Sequence, residues 1–205
     1  MYYILMGDII KSREQKAEYL WNCFGEIINN ANLEYHDFML SPLEIKSGDE
    51  FQVILKDMES SLNILLYLNT YFRYKDIKCR YTIGYGEIET PINHISETNM
   101  LGKALTETYE LLNDKINTNR YRFYIQHSTR DQILLNTIGE LLTEVEERIT
   151  KVQYNYLYYK IVLKYDIEQI SNILNVSTRN IYTLEERSNY KLIQNTFKSI
   201  QKIFQ

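Results

Sequence analysis

The order in which two hydrophobic periods alternate constrains this chain more than any other feature. Tyr2-Tyr3-Ile4-Leu5-Met6 is an unbroken apolar run that stops at Gly7-Asp8, the pattern of a buried strand. Across residues 14–31 the apolar side chains of Ala17, Leu20, Trp21, Phe24, Ile27 and Ile28 recur at three- and four-residue steps, which places them on one face of a helix. Residues 43–46 alternate, and residues 50–55 follow across Ser47-Gly48-Asp49. Two such runs joined by Gly-Asp predict a hairpin. The next helix carries Leu62, Ile64, Leu65, Leu68 and Phe72, with Ser60 or Ser61 placed to cap it. Residues 78–88 read as a strand, 100–112 as a helix and 120–126 as a further strand.

The succession is β-α-β-β-α-β-α-β. Its first six elements have the order of the ferredoxin-like α+β fold, a split βαβ pair around one antiparallel sheet. In that topology the first and third strands are central, antiparallel neighbours. Asp8 and the pair Asp49-Glu50 are therefore predicted at one rim of the sheet, although about forty positions separate them.

After residue 129 the pattern is all helical: 133–149, 152–163, a shorter pair meeting at Val176-Ser177, and a last helix from about Tyr190. The expected organisation is an α/β domain over 1–128, a connecting helix over 129–150 and a helix-turn-helix domain over 151–205. With 2 prolines and 7 glycines in the whole chain, no linker separates them. From Arg148 onward there are nine Lys or Arg and four Asp or Glu, a local net of +5 in a chain whose net charge is −4. An acidic front and a basic back suit a tail that faces nucleic acid. Cys23 and Cys79 have no Cys or His at metal-ligand spacing and read as buried thiols of a reducing compartment. No signal peptide or apolar run of bilayer length is present, so a cytoplasmic protein without a membrane partner is expected.

Carboxylates held together repel one another unless a cation lies between them. Magnesium takes a few carboxylate oxygens together with substrate phosphates, so Asp8, Asp49 and Glu50 are candidate ligands for Mg or Mn with a nucleotide. Lys11, Ser12 and Arg13 follow at what reads as a helix start and are candidate phosphate holders. Gly48 permits close backbone approach at the hairpin tip.

The segment from Ile167 to Leu184 has helix-turn-helix spacing. Ile167, Ile170, Ile173 and Leu174 would form the inner face of its first helix. Asn175 stands where a left-handed residue is wanted. Val176 fills the angle, Ser177 caps the second helix, and Ile181 and Leu184 turn inward. Ser177, Thr178, Arg179, Asn180, Tyr182 and Thr183 are left as candidate DNA contacts. Lys160, Lys164, Arg187 and Lys191 could flank them on phosphates, and useful affinity calls for a homodimer. The tyrosines 154, 156, 158 and 159 are expected to pack rather than to stack bases.

Ser47-Gly48-Asp49-Glu50-Phe51 resembles the hairpin signature of GGDEF diguanylate cyclases, with Ser for the first Gly. The stretch from Arg80 to Glu87, followed by Gly102-Lys103-Ala104-Leu105, is similar to class III nucleotide cyclases. These families share a palm-type core in which an aspartate after the first strand and an acid on the hairpin bind metal; the resemblance implies that role for Asp8 and Asp49, with Glu50 at the next acid. The layout from Met6-Gly7-Asp8-Ile9-Ile10-Lys11-Ser12-Arg13 to the terminal helix pair resembles the SatD family of bacterial proteins, which implies a cyclase-like core and a DNA-binding-like tail. Where class III cyclases carry Asn and Arg for the transition state, this chain has Thr106 and Glu110. An anion for a cation beside a triphosphate disfavours cyclisation. Three functions stay open on sequence: a nucleotide-binding regulator with a DNA-binding tail, a metal-dependent nucleotidyl transferase or cyclase, and a degenerate palm domain used for assembly.

Overall fold

The computed structural model describes residues 1–96 and 100–204, apart from the Ser47 side chain. The elements are β1 (Tyr2–Ile9), α1 (Ala17–Tyr35), β2 (Glu44–Ser47), β3 (Glu50–Leu55), α2 (Met58–Tyr74), β4 (Cys79–Gly86), α3 (Lys103–Asn113), β5 (Tyr121–Ile125), α4 (Thr129–Glu147), α5 (Lys151–Leu157), α6 (Ile167–Leu174), α7 (Thr178–Arg187) and α8 (Tyr190–Gln201). The mixed α+β architecture is built on one five-stranded sheet of order β2-β3-β1-β4-β5. β1 is antiparallel to both β3 and β4, whereas β4 and β5 are parallel. The end of β1 therefore shares a rim with the starts of β3, β4 and β5.

Side chains alternate across the sheet. On one face Leu5, Ile9, Phe51, Val53, Tyr81 and Ile83 pack under α1 and α2. On the other, Ile4, Met6 and Ile54 meet Ala104, Leu105 and Leu112 of α3. The first apolar cluster runs on through Leu135 and Tyr154 to Ile170, Ile181, Ile193 and Phe197 of the terminal helices. α4 approaches β5 so closely that a Cβ on Gly139 would lie 1.8 Å from the Tyr121 carbonyl oxygen.

Three local expectations are corrected. The buried stripe of α1 is Leu20, Cys23, Phe24, Ile27, Ile28 and Ala31, while Trp21 is 67% exposed; at 100° per residue it falls on the flank of that stripe. Asp57, not Ser60 or Ser61, caps α2, its side chain accepting from the Ser60 N–H at 2.7 Å. Ile173 points outward at 49% exposure, whereas Ile170 is fully buried.

A buried polar network ties the sheet to the helical tail. Arg120 Nη1 lies 3.4 Å from Glu146 Oε2, and Arg120 Nη2 donates to Asn69 Oδ1 at 2.8 Å. Asn69 Nδ2 and the Tyr154 hydroxyl also donate to Glu146. Tyr154 and Tyr156 are buried, and Tyr158 stacks on Tyr74 of α2 with centroids 3.7 Å apart. Tyr154, Tyr156, Tyr158 and Tyr159 therefore pack as anticipated. At the far end of the sheet, Phe204 meets Tyr3 and Tyr85 edge-on. No helix among the described residues is long and apolar enough to cross a membrane.

Cys79 is fully buried, and burial pushes its thiol up to about 12 against the pull of Arg120. The thiolate is the reacting form, so the native protein should leave Cys79 unalkylated by iodoacetamide at pH 8. Mass spectrometry should find the adduct only after denaturation; rapid labelling of the folded chain would contradict this placement.

Candidate functional site

Strand register builds the site. Asp8 is paired with Glu50 on β3 and with Arg80 on β4, so Glu50, Asp8 and Arg80 form one row across three strands. The next row on that face is Gln52, Met6, Thr82 and Arg122. The predicted meeting of the first strand's end with the third strand's start is thus present. Like charges directly opposite on neighbouring strands are unfavourable, and Arg80 answers the acids from the other side.

Asp8 is 1% exposed. Arg80 Nε lies 3.3 Å from its Oδ2, and Lys115 Nζ donates to the same oxygen at 3.4 Å. Its other oxygen, Oδ1, is buried without a hydrogen-bond partner. Burial raises the Asp8 pKa above the usual carboxylate range; Lys115 and Arg80 pull it back, and the charge of Asp49 pushes it up again. The two aspartates therefore sense each other. Asp49 lies at the hairpin tip, where its carbonyl accepts from the Ile9 N–H at 3.2 Å and Gly48 takes φ +57°, the left-handed region that favours glycine.

Among the described residues no group of three or more His, Cys, Asp and Glu side chains could hold a metal. What the chain offers a divalent ion is the bare Oδ1 of Asp8 with Asp49 close by and Glu50 in the same row. Such a set fits magnesium only if phosphate and water supply the remaining oxygens, which is how that ion is commonly bound.

The candidate phosphate holders do not begin a long helix. Lys11 is left-handed at φ 59°, Ser12–Glu14 is a single 3-10 turn, and α1 starts at Ala17. Lys11 pairs with Glu14 at 3.0 Å on the surface. Ser12, Arg13, Gly48 and Asp49 do share one cleft of about 470 Å³, together with Leu20, Trp21 and Phe24. The exposed Trp21 in that wall was hidden in the sequence by its helical spacing.

A second cleft, of about 310 Å³, opens at the same rim; its charged lining is Lys78, Arg80, Lys115, Arg120 and Arg122 with Glu144 and Glu147. Asp8 lies in the wall of neither cleft. Arg80 and Arg122 were legible as charges inside otherwise apolar strands. Lys115 had no local signal, since it reaches Asp8 across 107 positions.

In the terminal helix pair, Asn175 adopts φ 51°, ψ 47° and ends α6, and the Ser177 hydroxyl accepts from the Asn180 N–H. Ile181 is fully buried, and Ser177, Thr178, Arg179, Asn180, Tyr182 and Thr183 are all exposed. Thr106 and Glu110 are exposed on α3.

No curated protein matches the chain. Among solved structures, the guanylyl cyclase Cya2 matches with a TM-score of 0.40 and 13% identity, over 53% of this chain and 67% of that one. The match to a family model begins at the first residue of β1 and stops before α6, leaving the terminal helix pair outside it. Over residues 2–164 that model is the SatD family, and the chain belongs to it.

Proposed function

We propose that this member of the SatD family is a nucleotide-responsive regulator. A nucleoside polyphosphate with Mg or Mn binds at the Asp8–Asp49 rim, and the α6–α7 pair binds DNA as part of a homodimer. The observation that supports this most is the buried, partnerless Oδ1 of Asp8 beside Asp49, at the rim where both clefts open. A desolvated carboxylate oxygen without a partner is costly, at about 1–3 kcal/mol or more, and a bound cation removes that cost. Trp21, in the cleft with Arg13 and Asp49, offers a face for a base, worth about 1–3 kcal/mol per stacked ring. The order β2-β3-β1-β4 with α1 and α2 on one face supports the ferredoxin-like palm in which such sites occur. Thr178, Arg179 and Asn180 stand at the start of α7, where this motif reads base edges.

Calorimetric titration of the full chain with each NTP, with and without magnesium, tests the ligand half. Magnesium-dependent binding is expected, weakened at least roughly tenfold by Asp49→Asn, the loss of one charge-assisted contact. Binding indifferent to magnesium and to that substitution would overturn it. Gel shift of promoter fragments with and without nucleotide tests the DNA half, with Arg179→Ala expected to abolish a shift seen at low salt.

A further inference from the structure

The cleft on the β4–β5 side has cations that the metal–nucleotide proposal does not use. Its arginines and lysines differ in how fully they are already satisfied. Arg120 is held internally by Glu146, Asn69 and the Cys79 carbonyl. Arg122 donates to the carbonyls of Leu111, Leu112, Asn117 and Asn119. Lys78 is paired with Glu147 at 2.5 Å. Arg80 is different. It is 9% exposed, and its Nε and Nη1 are both buried without a hydrogen-bond acceptor, although Nε lies near Asp8. The Thr82 hydroxyl, one row further along the same face, is also buried and partnerless.

Lys115 sits above this spot on the loop after α3. The Asp114 carboxylate shapes that loop by accepting from the N–H groups of Ile116 and Asn117. Lys115 shares a single oxygen of Asp8 with Arg80 and keeps 56% of its side chain exposed. One carboxylate oxygen thus faces two cations. Positive charge is crowded enough here that burial and Arg80 together lower the Arg122 pKa. Buried guanidinium donors left without acceptors need a partner that the chain does not supply.

We infer that the cleft of Lys78, Arg80 and Lys115 is an anion site for a phosphate or pyrophosphate group of a small molecule. The planar fork of Arg80 matches two oxygens of a phosphate, and Lys115 adds a movable point charge. A cleft of about 310 Å³ is of small-molecule size. The contacts come from the chain's own cations, with no divalent ion among them, although Glu144 and Glu147 share the lining. It goes beyond the proposed function and stands whether or not Asp8 and Asp49 bind metal.

Titration of the full chain with pyrophosphate in EDTA at low salt tests it. Binding is expected, with Lys115→Gln weakening it roughly tenfold, the loss of one charge-assisted hydrogen bond, and Lys198→Gln on α8 leaving it unchanged. Arg80→Gln should abolish it. Because that change strips Asp8 of a buried partner, Lys115→Gln, with its half-exposed side chain, decides the matter if Arg80→Gln does not fold. No binding, equal binding by all variants, or equally tight binding of malonate would overturn the phosphate assignment. If magnesium nucleotides bind but metal-free pyrophosphate does not, this inference alone falls. If pyrophosphate binds while Asp49→Asn leaves nucleotide binding untouched, the metal reading alone falls.

Discussion

Glu146→Ala is expected to lower the folding free energy by about 3–5 kcal/mol, the usual consequence of stripping one partner from a buried ion pair. Glu146 and Arg120 are 3% and 2% exposed. The carboxylate accepts from Asn69 on α2, Arg120 just before β5 and Tyr154 on α5. Its removal leaves the buried Arg120 guanidinium with only the longer 3.6 Å ion pair to Glu147 and frees donors on three segments at once. A loss of that size is a large part of the roughly 5–15 kcal/mol that holds a typical domain. Urea unfolding followed by circular dichroism measures it. Glu144→Ala, on the exposed side of the same helix, should stay within about 0.5 kcal/mol of the parent. Equal midpoints for the two variants would show that the network carries little energy.

The second large effect is expected for Arg122→Leu, at about 3 kcal/mol. Arg122 is 2% exposed and faces no carboxylate in its hydrogen bonds; it bonds two carbonyls at the end of α3 and two in the loop that follows. The last carbonyls of a helix have no intrahelical donor, and a cation there also opposes the helix dipole. Leucine fills the space and satisfies none of the four. Part of the cost should be relieved by the loop opening to water. Hydrogen exchange across residues 113–119 should therefore accelerate, alongside a lower urea midpoint. Unchanged exchange would mean that the loop is held by other contacts. Arg122→Lys should lose less, since one ammonium can reach some of the four oxygens. Because Lys115 rides on this loop and Arg122 itself lines the cleft, Arg122→Leu should also weaken pyrophosphate binding.

Much of this architecture was legible because strands and helices here follow their hydrophobic periods. The adjacency of Asp8 and Glu50 followed from element order alone. The left-handed Asn175 and the Ser177 cap followed from local backbone chemistry. Misreadings arose where period was ambiguous or tertiary context decided. Trp21 fits a helical stripe by spacing yet stands outside the core. Asp57 outcompeted two serines as a cap because α2 begins one turn earlier. The basic cleft was the largest omission. Arg80 and Arg122 lie two positions from Thr82 and Tyr124 on one strand face, a pattern that marks inward charge once the sheet face is known. Lys115 became visible only through the fold, as it comes from a loop with no motif of its own.

Neighbouring acids at the end of α4 share one arginine and then diverge. Glu146 looks inward to Arg120 and Tyr154, and Glu147, 3.6 Å from Arg120, reaches outward to Lys78 in the basic cleft. Both carboxylates hang from adjacent residues of one helical turn, so a rotation of that turn's backbone moves the two together. The mouth of the cleft and the seating of α5 are therefore geared to a single piece of backbone. Prising the terminal helices off the sheet would change the cleft's width, even for a disturbance that begins far from any charge.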